Sequence, residues 1–216
     1  MKKLFVPIVA LATVFMFTSC GSDIKFTIPD GDITIDLGDR TKALEGVSAK
    51  GKKDIPKEDI KIEGLDWVGK GKLTYTAKDE DGKTETATRD VTVKADKLFG
   101  TYAVQYYFGE TKVEGVVSTN VSSSSDNTRL VVNTFFGKAT WSAVFAGDGK
   151  SMKLTMDKKT FSLPDPGDPT KTLTCEATGT AEYAIGTKGY SIVSLKFTAV
   201  WDDGEIENFT ATFEKN

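Results

Sequence analysis

Leu73-Thr74-Tyr75-Thr76-Ala77 and Thr86-Ala87-Thr88-Arg89-Asp90-Val91-Thr92-Val93 flank the acidic tetrapeptide Asp79-Glu80-Asp81-Gly82. Each flank alternates side chains with a period of two, which places every second residue on the same face of a strand. Asp-Gly between two such runs is among the strongest short-range hairpin signals, because glycine takes a positive φ without steric cost. This hairpin sets the reading of the whole chain as β-structure.

Upstream, Ile24, Phe26 and Ile28 share one strand face, and Ile33, Ile35 and Leu37 share the next, with a turn at Asp30-Gly31-Asp32. Ile60 and Ile62 continue the alternation. Lys52 to Asp59 is charged and contains Pro56, so it reads as a loop or irregular edge. Asp30, Asp32, Asp79 and Asp81 invite a calcium reading, but the 79–82 stretch lacks the loop length and terminal glutamate of an EF-hand, and these acids are more simply turn formers.

Downstream, Lys94-Ala95-Asp96-Lys97 reads as a short linker without glycine or proline. A second set of strands follows. Tyr102, Val104, Tyr106 and Phe108 alternate, as do Met152, Leu154 and Met156, then Leu173, Cys175 and Ala177. A long strand carries Val193, Leu195, Phe197, Ala199 and Trp201; Asp202-Asp203-Gly204 turns it into Phe209, Ala211 and Phe213. Tight turns at short spacing without a helical crossover imply an up-and-down antiparallel meander, and closure would remove its exposed edges. A β-sandwich is the alternative.

Ile33-Thr34-Ile35-Asp36-Leu37-Gly38-Asp39, Gly71 to Gly82 and Arg89-Asp90-Val91-Thr92-Val93 together resemble a bacterial Ig-like surface module. That family ends in a G-x-Y-x-V-x-Y-x-A-x-D-x-x-G-N hairpin followed by R-x-V-x-V; Lys83 stands here where the family often has Asn. The resemblance implies an Ig-like β-sandwich used as a spacer, with Trp67 in or near its core and no catalytic residues. Leu98-Phe99-Gly100-Thr101-Tyr102 and the meander behind it look like lipocalin-like domains of bacterial surface lipoproteins, which open G-x-W or G-x-Y on the first strand. The expected fold is therefore all-β: an N-terminal Ig-like β-sandwich over residues 24–95 and a C-terminal lipocalin-like up-and-down β-barrel over residues 98–216.

The first twenty residues, MKKLFVPIVALATVFMFTSC, have the layout of a secretory signal peptide: two lysines, an uncharged apolar run and small polar residues before Cys20. The run is too short to span a bilayer comfortably. Phe17-Thr18-Ser19-Cys20 resembles the lipobox of bacterial lipoproteins, with Phe17 where Leu is usual. The resemblance implies cleavage after residue 19, acylation of Cys20 and a tether over residues 20–23. Several acyl chains on one residue give a lasting anchor, where a single chain holds only marginally. Surface lipoproteins of the Bacteroidetes have similar leaders, so the expected location is the outer membrane, on the cell-surface side with the periplasmic face as the alternative, and the expected partner beyond a ligand is a surface uptake complex.

Composition narrows the chemistry. With 28 basic and 31 acidic residues the net charge is −3, which argues against a nucleic-acid partner. The chain has no histidine, which excludes Ser-His-Asp and Cys-His catalysis and all histidine zinc sites. Beyond Cys20 the only cysteine is Cys175, so the body has no internal disulfide; on the face of Leu173 and Ala177 it reads as an inert core thiol. Asp202 and Asp203, neighbours in a glycine turn, read as turn formers rather than an acid/base pair. Nothing calls for a cofactor, a metal or an enzyme. The remaining candidates are aromatic: Tyr107, on the face opposite Tyr106, with Trp141 and Trp201, for a glycan or a small apolar ligand; the alternative is a structural or assembly component without a ligand, and a hydrolase comes last.

Overall fold

The computed structural model describes residues 23–113, 116–123, 129–135, 139–164, 170 and 172–216. The leader and Cys20 lie outside these residues. Among the described residues the helical pieces are one short helix, α1 (Arg40–Ala43), and two single-turn 3-10 segments, Lys57–Asp59 and Asp96–Leu98; the rest is built on strands.

The N-terminal half forms two small sheets. β1 (Lys25–Thr27), β3 (Ser48–Lys50) and β4 (Asp54–Ile55) make one, in the order β1-β3-β4. β2 (Ile33–Asp36), β5 (Lys61–Glu63), β6 (Gly69–Lys78) and β7 (Thr84–Lys94) make the other, in the order β2-β7-β6-β5. The chain changes sheet at Asp30-Gly31-Asp32, so the first two apolar runs are not hairpin partners. β2 instead pairs in parallel with β7, from Ile33 opposite Val91 to Asp36 opposite Lys94.

The period-two pattern fixes what is buried. Ile35 and Leu37, Leu73, Tyr75 and Ala77, and Val91 and Val93 all point inward. The Tyr75 hydroxyl donates to the Ala43 carbonyl at 2.9 Å, so a large ring is buried with its polar end satisfied. β6 and β7 form the expected hairpin: Gly82 takes a φ of 82°, and the Asp79 carboxylate accepts from the amides of Asp81 and Lys83 at 3.0 and 2.8 Å. Asp81 and Glu80 are paired with Lys52 and Lys53. The charged 52–59 stretch is the irregular edge its sequence implies: the two-residue strand β4 closes one side of the β1-β3-β4 sheet and a 3-10 turn follows it. The carbonyls of Lys57, Glu58 and the following Ile60 accept from the Arg40 guanidinium at 3.0, 3.2 and 2.6 Å, which clamps the 3-10 turn onto α1.

The C-terminal half is a closed barrel. Its strands are β8 (Gly100–Phe108), a two-residue extension β9 (Thr111–Lys112), β10 (Val117–Ser123), β11 (Arg129–Phe135), β12 (Ala139–Gly147), β13 (Lys153–Pro164), β14 (Thr172–Gly186), β15 (Gly189–Trp201) and β16 (Ile206–Lys215). From β10 to β16 each strand pairs antiparallel with the next. β8 pairs with both β10 and β16, so eight strands close on themselves and the sandwich alternative falls away.

At eight strands the interior is just wide enough for side chains to fill it or for one small ligand to enter. Tyr102, Val104, Tyr106, Leu154, Met156, Cys175, Ala177, Tyr183, Leu195, Phe197, Ala199 and Ala211 point inward and are buried. One expected inward residue does not: Val193 is 38% exposed and Ile192 is buried in its place. A register shift between Glu182 and Tyr183 makes Val193 the extra residue of a bulge, and that flips the alternation. Outward positions on β13 to β16 carry Lys153, Thr155, Thr178, Glu182, Lys196, Thr198, Asn208 and Thr212. Apolar Ile185, Val193, Val200 and Ile206 are exposed among these polar side chains.

The N-terminal sheets sit on the barrel end formed by the Asp148–Ser151 turn and the starts of β13 and β15. Gly69 and Gly147 approach so closely that a methyl group on Gly69 would lie 2.8 Å from the Gly147 carbonyl oxygen. The Gly149 amide donates to the Val68 carbonyl at 3.2 Å. The buried Tyr183 hydroxyl accepts from the Val68 amide at 2.8 Å and donates to the Asp66 carbonyl at 2.6 Å. The Tyr190 hydroxyl donates to the Asp66 carboxylate. Ala95 and Leu98, at the junction of the two halves, are fully buried.

Candidate functional site

At the barrel end opposite the N-terminal sheets, β15 and β16 run into the Asp202-Asp203-Gly204 turn. The Asp203 carboxylate accepts from the Glu205 amide at 2.9 Å, so this acid builds the turn, as its spacing implies. Trp201, the last residue of β15, shares the inward face of Phe197 and Ala199 and packs half-buried against the core. Its indole N–H donates to the Glu207 carboxylate at 2.8 Å. Glu207 lies opposite Ala199 and in phase with Phe209, so its carboxylate belongs to the inner rim.

Aromatic rings continue the rim. Phe209 stacks on Phe197 with centroids 5.0 Å apart and meets Phe108 at 5.6 Å. Phe108, at the end of β8, is 48% exposed, a high value for a large apolar side chain. Cys175 lies opposite Trp201 and is buried; burial pushes its thiol up to about 11, and the Glu207 charge adds to the rise. Burial of this kind favours the protonated thiol near neutral pH.

The three aromatic residues singled out in the sequence do not converge. Trp201 is at the rim. Tyr107 is on the outer face, half-buried and opposite Thr210 of β16. Trp141 falls in β12, outside the residues whose side chains are described. Trp67 is half-buried beside Asp66 and Val68, at the junction with the barrel.

A shallow trough of about 640 Å³ crosses the outer face of β13 to β16. One wall is the register row Thr155, Thr180, Lys196 and Thr210; the other is Thr178, Thr198 and Asn208. Between them the floor is the backbone of Met156, Gly179, Phe197 and Phe209, whose side chains turn inward. Gly179 is required there: a Cβ would meet the Cβ of Phe197 at 2.7 Å. Neither Glu207 nor the trough was evident from apolar alternation. The threonines at 178, 180, 198 and 210 are the polar half of the same alternation, and that was the signal available.

No family model matches the chain, and no curated protein matches it in sequence. In structure it is similar to the lipoprotein BT2262 from Bacteroides thetaiotaomicron, at 16% identity and a TM-score of 0.28, with 88% of this chain and 99% of that one covered.

Proposed function

We propose that the chain is a non-catalytic, lipid-anchored protein of a bacterial outer membrane, in which an Ig-like spacer presents a lipocalin-like barrel to its surroundings. The observation that carries this reading is the opposition of two poles. The chain enters through the N-terminal sheets, which cover one end of the barrel, and the aromatic rim of Phe108, Phe209 and Trp201 lies at the other. Two small sheets with β2 parallel to the last strand, β7, support the Ig-like assignment. The lipidated Cys20 supplies the anchor, so the rim faces away from the membrane.

The described inward side chains of the barrel are buried, and the aromatic rim is the place we assign to a small, largely apolar ligand. Glu207 gives such a ligand one hydrogen-bond acceptor. Cys20→Ala in the native host should move the protein from the membrane fraction to the soluble fraction; continued retention in the membrane rejects the anchor. For the rim the probe is N-phenyl-1-naphthylamine, a neutral apolar fluorophore. It should shift the Trp201 indole N–H resonance and lose that effect in Phe108→Ser. An unmoved Trp201 resonance removes the rim from consideration.

A further inference from the structure

We infer that the outer trough of β13 to β16 is a second binding site, and that its ligand is an extended acidic oligosaccharide. It rests on the reading of the barrel as the binding domain, but uses a surface that neither the rim nor the interior shares.

The lining chemistry selects the ligand. Five threonines and Asn208 offer hydroxyls and an amide in two parallel rows. The Thr198 hydroxyl donates to the Asn208 carbonyl oxygen at 2.7 Å, which orients the Asn208 amide and leaves its N–H₂ to donate outward. Closely spaced groups that both donate and accept match the hydroxyls of a sugar, and the threonine methyls match its C–H faces. Lys196 is the single charged side chain in the lining, and it is a cation in a chain of net charge −3. An acid-free band with one ammonium complements a ligand that carries carboxylates.

Shape adds to this. The trough crosses four strands, a span of roughly 15 Å at the ordinary inter-strand spacing. The Thr155–Thr180–Lys196–Thr210 row continues onto Tyr107 of β8, whose ring sits half-buried on the same outer face. A ligand lying along the row therefore reaches an aromatic surface at one end, where a sugar ring can pack. The volume of about 640 Å³ falls inside the usual range for ligand sites. A compact ligand would leave most of this length empty.

The test titrates the full chain, purified in detergent, with oligogalacturonides of increasing length and with malto-oligosaccharides as neutral controls. Calorimetry gives affinity, and amide resonances give position. The acidic series should bind, gain affinity with length until the trough is filled, and shift the amides of Thr180, Lys196 and Asn208 while leaving the Trp201 indole N–H in place. Lys196→Glu should weaken binding about tenfold or more, the loss of one charge-assisted contact. Lys196 is exposed, so this variant keeps the fold; Tyr107→Ala is the second variant and should weaken the longer ligands most. Lack of binding by the acidic series, equal binding of the neutral series, or shifts confined to Trp201 would each overturn the assignment. Shifts confined to Trp201 would leave the rim reading standing, and trough shifts without rim shifts would do the converse.

Discussion

Gly149→Ala should destabilise the protein by roughly 2–5 kcal/mol, the combined cost of a strained left-handed residue and an overpacked contact. Gly149 has a φ of 62°, which side chains seldom adopt, and a methyl group there would collide with the Lys70 carbonyl of β6. That carbonyl is backbone and cannot swing aside. Gly204→Ala is the matched control: its φ is 89°, but nothing lies within 4 Å of the added carbon. It should show the conformational cost alone, about 1 kcal/mol. Urea denaturation of both variants checks the pair. If Gly149→Ala costs no more than Gly204→Ala, the close glycine contact between the halves does not stabilise the protein.

Tyr183→Phe is the second large effect, about 2–4 kcal/mol, because it strands two backbone groups at once. The Val68 amide loses its acceptor and the Asp66 carbonyl loses its donor, in a contact where the Val68 bond is buried. The same hydroxyl makes stability depend on pH. Burial holds the Tyr183 phenol well above its ordinary value of 10.0, the bond from Val68 opposes this, and the Asp148 and Asp66 charges reinforce it. Tyr190 is raised by burial and by its bond to Asp66, and Tyr102 and Tyr75 by burial. In each case the folded state keeps its proton to higher pH than the unfolded chain. The contribution is therefore complete below about pH 10 and is lost as the pH rises through the folded-state values. Stability measured against pH should fall beyond that point, and Tyr183→Phe should fall less steeply. Equal slopes would mean that Tyr183 does not carry the alkaline loss.

Much of this fold was legible in the sequence because burial in an antiparallel sheet writes itself as alternation. Leu73, Tyr75 and Ala77, like Tyr102, Val104 and Tyr106, read correctly as inward rows, and Asp79 to Gly82 read correctly as a turn. The sequential order of the barrel strands followed from short turns without a crossover. Local pattern could not show partners. β1 and β2 are adjacent in the chain yet lie in different sheets, and β2 finds β7 far along the chain. The bulge at Val193 was equally hidden, since a single inserted residue preserves composition while inverting the face.

The site was less legible than the fold. Trp201 was identified for its place at a hairpin, but its carboxylate partner Glu207 belongs to the next strand and joins it only through register. Tyr107 was singled out for lying opposite Tyr106, and it does face outward. Its companions in the outer row come from four different strands, so no window of sequence could contain them.

The parallel pairing of β2 with β7 has a mechanical consequence. The chain enters this pair at Ile33 and leaves it at Lys94, at opposite ends of the ladder, with four register pairs between and the Lys94–Asp36 ion pair at the exit. A pull applied between Ile33 and the barrel therefore loads those hydrogen bonds in shear, all at once, rather than opening them one by one like a zipper.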